Sequence, residues 1–207
     1  MKTVIKDRAV ALENMVIARD VLAKRGIPLF LNFGTLLGAL RERDFIPHDD
    51  DVDVGIYDRD EAAFLTCFDE LEGKGLSFFE KIDEMRLYSF ARGGEQLDFF
   101  IACEKRTIFG RRWDLDGRAT VPSRHLDSLD EIVFLGERFM APHDAKGLMV
   151  NLFGKTWTVP LANRPSRIGW TVRARKALRN PGKILFYCRR FVTKRLAWAR
   201  LARDHRD

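Results

Sequence analysis

The sequence predicts an α+β fold in which helices flank a sheet, with a basic helical tail attached. Three observations lead there. Residues 7–25 place Val10, Ala11, Met15, Ala18, Val21 and Leu22 at helical spacing. Residues 51–56 place Asp51, Asp53 and Gly55 at one parity and Val52, Val54 and Ile56 at the other, the period of a strand. Residues 76–103 then read as three extended stretches in succession, the last two parted by Gly93-Gly94 as a hairpin turn.

The elements follow in order. The first helix stops at Gly26. Residues 28–33 form a short apolar, aromatic-rich strand, after which Gly34-Thr35 opens a second helix from Leu36 to about Arg43. Thr35 is the expected cap, and a helix N-terminus following a strand offers N–H groups to an anion. The loop 44–48 contains Pro47, which cannot continue a helix. A third helix is expected over 58–72, closed by Gly73 and Gly75. The extended stretches are 76–82, 85–91 and 96–103, and the last holds Asp98 among Leu97, Phe99, Phe100 and Ile101. A carboxylate in so apolar a run is costly to bury without a partner. Residues 105–137 read as a strand pair and a connection, 135–140 as another short strand, and 144–153 as a helix ended by Gly154.

Charge divides the chain. Residues 1–163 carry 22 Lys/Arg against 28 Asp/Glu, whereas 164–207 carry 14 against Asp204 and Asp207 alone. The expected organisation is therefore an acidic α+β domain over 1–163 and a basic, amphipathic helical tail over 164–207, with different tasks. In the tail Leu185, Cys188, Val192, Leu196 and Ala199 fall on one stripe with Arg and Lys around them. A solvated helix, an anionic membrane surface and a nucleic acid each suit that pattern, and the membrane surface is favoured. Three scattered cysteines without a C-x-x-C pair argue against a disulfide framework or zinc finger and suit a reducing compartment. No apolar run approaches 18 residues and no signal peptide is legible, so the expectation is a cytoplasmic protein, peripheral at the inner face of the membrane.

The chemistry concentrates in residues 49–53. Asp51 and Asp53 share one face of a strand while Val52, Val54 and Ile56 share the other. Adjacent carboxylates repel unless a cation lies between them, and hard divalent ions take carboxylate and phosphate oxygens. A calcium loop of the EF-hand kind is excluded, because its sixth and twelfth positions would be Val54 and Asp60. Asp49 and Asp50 either help to shape the loop or bind metal through water, or are simply solvated. His48 reads as a pocket wall rather than a base.

Gly34-Thr35, Asp51-Val52-Asp53 and Leu97-Asp98-Phe99 together resemble the signature of the polymerase-β-like nucleotidyltransferase superfamily. Within it, 33–41 (FGTLLGALR) and 45–54 (FIPHDDDVDV) resemble the paired central motif of the LicD/fukutin-type phosphotransferases, and 153–160 (FGKTWTVP) resembles a late segment of that family. Here His48 stands where the family usually has Trp, and Lys155 where it usually has Asp.

The resemblance implies a nucleotidyltransferase-like mixed sheet and metal-dependent phospho-group transfer, with Mg²⁺ or Mn²⁺ as cofactor. The donor would be nucleotide-activated, typically CDP-linked, and the transferred group phosphocholine, ribitol or glycerol phosphate, or a sugar phosphate. The acceptor would be a hydroxyl of a glycan or lipid-linked glycan in cell-surface polysaccharide synthesis, with no specific nucleic acid as partner. By position Asp51, Asp53 and Asp98 would be catalytic metal carboxylates, Asp98 on the acceptor side as ligand or proton acceptor. Gly34, Thr35, Arg41 and Asp49 would serve the donor, with Arg41 clamping a phosphate bidentately. Two alternatives remain at this stage: nucleotidyl transfer from ATP to a small molecule, and a non-catalytic nucleic-acid binder.

Overall fold

The structure, a computed structural model, describes residues 5–160 except His48, Phe109 and Arg118. The expected tail over 164–207 lies outside the described residues, as does His48.

Helix α1 (Arg8–Ala23) starts where the Asp7 carboxylate accepts from the N–H groups of Ala9 and Val10. It ends at Gly26, whose φ of +68° suits a residue without a Cβ. Its buried stripe is Ala11, Met15, Ala18, Val21 and Leu22, together with Asn14, while Val10 is only partly buried. The Asn14 side chain donates to the Arg92 carbonyl, fastening the helix to a hairpin end.

Strand β1 is only Phe30–Leu31, and helix α2 runs Phe33–Arg41 with Asn32 as its cap. The helix thus begins one residue before the Gly34-Thr35 step rather than after it. Thr35 does not cap it, because the Thr35 hydroxyl is engaged by a neighbouring strand. That strand, β2 (Val52–Tyr57), is buried along its whole length. Its Val52, Val54 and Ile56 lie in register with Leu97, Phe99 and Ile101 of a later strand, and all six belong to the core.

The helix expected over 58–72 is a 3₁₀ turn and two short helices, α3 (Glu61–Leu65) and α4 (Phe68–Gly73). Between them the N–H groups of Thr66 and Cys67 bond three residues back, and the Thr66 hydroxyl takes the Ala63 carbonyl. This local bonding competes with the α-helical ladder. Phe64 and Phe68 pack edge-on against Phe90, at 6.3 and 5.0 Å between ring centroids.

Strands β3 (Ser77–Ile82), β4 (Leu87–Arg92) and β5 (Glu95–Thr107) form an antiparallel meander. Gly93 and Gly94, both at positive φ, make the two-residue turn. Beyond Ala102 strand β5 turns to a different partner and pairs with β6 (Gly110–Asp114), which pairs with β7 (Thr120–Pro122). A hairpin of β8 (Leu129–Phe134) and β9 (Glu137–Pro142) follows, turning at Leu135-Gly136, both at positive φ. The strand expected at 135–140 is therefore shifted, with its first two residues in the turn. Helix α5 (Ala145–Phe153) is capped by Asp144 and ends at Gly154.

The main sheet orders its strands β3-β4-β5-β2-β1-β9-β8. It is mixed: β2 runs parallel to β5 and β1 parallel to β9, while the other adjacent pairs are antiparallel. The paired β2 and β5, which carry the acidic residues, thus lie inside the sheet rather than at an edge. Among the described residues no helix is long and apolar enough to cross a membrane.

Candidate functional site

The parallel register of β2 and β5 sets Asp53 directly opposite Asp98. Asp51, two residues before Asp53, falls on the same face. One carboxylate oxygen from each of the three can be chosen so that all lie within 4.8 Å of one another. Asp98 is 1 % exposed and Asp53 9 %. Burial and then the negative charges of Asp51, Asp98 and Asp49 push the Asp53 carboxyl well above its usual range, with a partial offset from the Gly34 N–H. A proton or a bound cation would each relieve charge concentrated in this way.

Helix α2 is pinned to Asp53 by three hydrogen bonds. Gly34 N–H donates to Asp53 Oδ2 at 3.0 Å, Asp53 N–H donates to Thr35 Oγ1 at 2.8 Å, and Asn32 N–H donates to the Asp53 carbonyl at 3.1 Å. The positive end of the helix dipole is thereby set against the acidic face. Phe33, the first helical residue, adopts a φ of +35°, a conformation that costs a non-glycine residue energy. Its ring packs edge-on against Phe100 of β5 at 4.9 Å.

Gly34 is a close-approach position. A Cβ there would overlap Asp49 Oδ2 and stand 3.2 Å from Asp53 Oδ2. Asp49, Asp50 and Asp51 also have oxygens within 4.8 Å of one another, so the acidic region extends along the loop before β2. An all-oxygen, all-carboxylate set with a backbone free of side-chain bulk beside it fits a hard divalent cation such as Mg²⁺ or Mn²⁺.

The other sequence-predicted residues divide. Asp51, Asp53 and Asp98 converge, and Gly34, Thr35 and Asp49 adjoin them. The Gly34 N–H and the Thr35 hydroxyl are both occupied with Asp53. Arg41 is not brought in: it is the last residue of α2, about 10 Å along the axis from Gly34 at the standard rise per residue. Its guanidinium donates to Glu42 at 2.7 Å and to the Trp157 carbonyl at 3.2 Å, which ties the late segment to the far end of the helix. Trp157 is half-buried against the core and Lys155 is exposed.

Three polar residues of this face escaped the sequence reading. Gln96 Nε2 donates to Asp98 Oδ1 at 2.7 Å. Ser89 is paired with Asp98 across β4 and β5, and Asn32 precedes the strained Phe33. Gln96 was legible, since it sits two residues before Asp98 and therefore on its face. Asn32 and Ser89 become visible only through pairing between strands.

Residues 26–144 match the family described as LicD/FKTN/FKRP, nucleotidyltransferase domain. The chain belongs to this family. The matched span contains the whole constellation, from Asn32 through Asp98. Human and crab-eating macaque (Macaca fascicularis) ribitol-5-phosphate transferase FKTN are each 26 % identical over 161 residues, covering 74 % of this chain and 34 % of theirs. An uncharacterised protein of Rickettsia typhi, RT0683, is 33 % identical over 90 residues, 44 % of this chain and 28 % of its own length. The chain thus spans about a third of the length of these curated relatives. Among solved structures, the solution structure of the antibiotic-resistance factor ANT(2″)-Ia aligns with a TM-score of 0.51 at 17 % identity, covering 97 % of this chain and 99 % of that one. That likeness is one of fold, and it makes this LicD-family chain nucleotidyltransferase-like in architecture.

Proposed function

We propose that this LicD-family domain is a metal-dependent transferase that moves a phospho-substituted group from a nucleotide-activated, CDP-linked donor to a hydroxyl of a glycan. The observation that carries the reading is the convergence of Asp51, Asp53 and Asp98 to within 4.8 Å beside the start of α2. Family membership supports the transferase class, and the FKTN relatives, named as ribitol-5-phosphate transferases, support a phospho-alcohol as the transferred group.

Phosphoryl transfer requires positioning and charge neutralisation more than covalent help from the protein. Asp51, Asp53 and Asp98 would hold Mg²⁺ or Mn²⁺, which when bound neutralises the donor diphosphate and acidifies an attacking hydroxyl. The residues of the chain supply the rest. Asp98, on the neighbouring strand, would accept the acceptor's proton or complete the ligand set. Gly34 and Thr35 hold Asp53 in orientation and keep the approach to it open, and the dipole of α2 favours an anion alongside. The exclusion of water around Asp98 strengthens each of these interactions.

The test is the product formed from CDP-ribitol, CDP-glycerol and CDP-choline with Mg²⁺ and a glycan acceptor. Release of CMP, lost in Asp51→Asn and Asp98→Asn with the fold intact, supports the proposal. Near wild-type turnover in either variant overturns the site. Pyrophosphate released from a nucleoside triphosphate, with none of the CDP donors used, would replace phospho-alcohol transfer with nucleotidylation.

The basic tail, with its 14 Lys/Arg, is proposed to hold the enzyme at an anionic membrane surface. Deletion of 182–207 should then release the protein from anionic liposomes while turnover on a soluble acceptor persists.

A further inference from the structure

Asn32 is 1 % exposed, and neither Oδ1 nor Nδ2 of its carboxamide makes a hydrogen bond among the described residues. Buried amides almost always find partners, so each such case requires an account. The ordinary account fails here. Asn at a helix N-cap normally accepts from an N–H of the first turn, yet Asn32 caps α2 without any side-chain bond. The Gly34 N–H that it would take already donates to Asp53 Oδ2. An aspartate on the next strand performs the capping, and the amide is left for something else.

Register says where that amide lies. Phe30 pairs with Gly55 and Leu31 with Val54 in antiparallel sense, and the bond from Asn32 N–H to the Asp53 carbonyl extends the ladder by one step. Residues directly opposed across an antiparallel pair project on the same face. Asn32, Asp53, Asp98 and Ser89 therefore form a single polar row across β1, β2, β5 and β4. Ser89, fully buried, also has a hydroxyl with no hydrogen bond among the described residues.

We infer that the Asn32 carboxamide is a ligand-binding group of the carboxylate site, contacting the phosphate and the hydrated divalent cation of a bound donor. The inference rests on the metal-dependent reading above and deepens it. An amide needs both an acceptor and a donor opposite it. Ionised phosphate only accepts, and water on a cation only donates, so neither alone satisfies Asn32, whereas the pair does. A purely structural asparagine would instead have been satisfied by the protein around it.

The experiment uses the full chain and two probes, Mn²⁺ alone and CDP with Mg²⁺, each measured by calorimetry beside the melting temperature of the metal-free protein. In Asn32→Leu the metal-free melting temperature should equal or exceed that of the wild type, because an unmet buried polar group has been removed. Mn²⁺ affinity should stay within about threefold, and the affinity for CDP with Mg²⁺ should fall about tenfold or more. Asn32→Ala carries the same binding test if the leucine variant does not fold. CDP affinity unchanged within about twofold, together with a lowered melting temperature, would make Asn32 structural and overturn the inference. An equal loss for Mn²⁺ alone also overturns it, since Asn32 would then act through Asp53. A wild-type chain that binds neither probe removes the metal-dependent reading itself, and the inference with it.

Discussion

Asp53 and Asp98 face each other across the parallel junction of β2 with β5, both almost wholly removed from water. Their proximity sets a pH rule for the metal-free protein. The Asp53 pKa is raised on folding, so its contribution to stability is full below the ordinary carboxylate value and is lost as pH rises through the raised one. Asp53→Asn removes that loss while keeping an oxygen that can accept from Gly34. With chelator present, its melting temperature should match or exceed the wild type's at pH 7–8 and lose the advantage below about pH 4. Mg²⁺ should reverse the order, by about 2.7 kcal/mol for wild type at a hundredfold excess over Kd, and should do little for the variant.

Gly34→Ala tests the close approach of α2 to the acids. The new methyl would meet the end of the Asp49 side chain, which can swing away, and would crowd Asp53 at 3.2 Å. Thermal stability should change by less than about 1 kcal/mol, since the Asp49 side chain can yield. Turnover should fall about a hundredfold through misplacement of the carboxylates. A variant with wild-type kinetics would separate Gly34 from the chemistry.

Gly38→Ala should behave in the opposite way. A Cβ at Gly38 would overlap the Asp44 carbonyl and stand 3.2 Å from the Ile46 N, and backbone cannot move aside as a side chain does. Overpacking there should cost about 1–3 kcal/mol in chemical denaturation, with whatever enzyme remains folded retaining its metal affinity.

Glu70 gives a second pH signature, far from the site. Hydrogen bonds from Lys24 and Arg25, at 2.7 and 2.8 Å, hold its pKa down to about 2 from an ordinary 4.5. The folded value is depressed, so the stabilisation is present above the unfolded pKa and disappears as pH falls toward about 2. Glu70→Gln should lower the melting temperature slightly at neutral pH and low salt, and less so at high salt. The two proteins should converge in acid, as differential scanning calorimetry can follow.

How much of this could be read in advance depended on how local the cause was. The alternation at 51–56, the stops at Gly26 and Gly154 and the Gly93-Gly94 turn are effects of neighbours in sequence, and each element is where its residues indicated, although the caps Asp7 and Asp144 went unread. The start of α2 was misjudged because its decisive partner, Asp53, is 19 residues from Gly34. The break between α3 and α4 turns on the competing bonds of Thr66 and Cys67, which periodicity does not register. Strand β5 runs past Cys103 because β6 offers it a second partner. In the site, the three acids were legible from residue type and spacing. Asn32 and Ser89 were not, since ordinary polar residues acquire meaning only from what stands across the ladder. Arg41 was read as a phosphate clamp from its place one turn past the Gly-Thr step, and its guanidinium is held by Glu42 and the Trp157 carbonyl at the end of α2.

The triple attachment of α2 to Asp53 also bears on how relatives should be compared. One residue ties a helix to a sheet through both its main chain and its side chain, and an asparagine in its place would keep all three bonds. A copy that had lost all turnover would be free to exchange the acid for the amide, so an aspartate retained at this place in a distant homologue speaks for a need of charge rather than of folding.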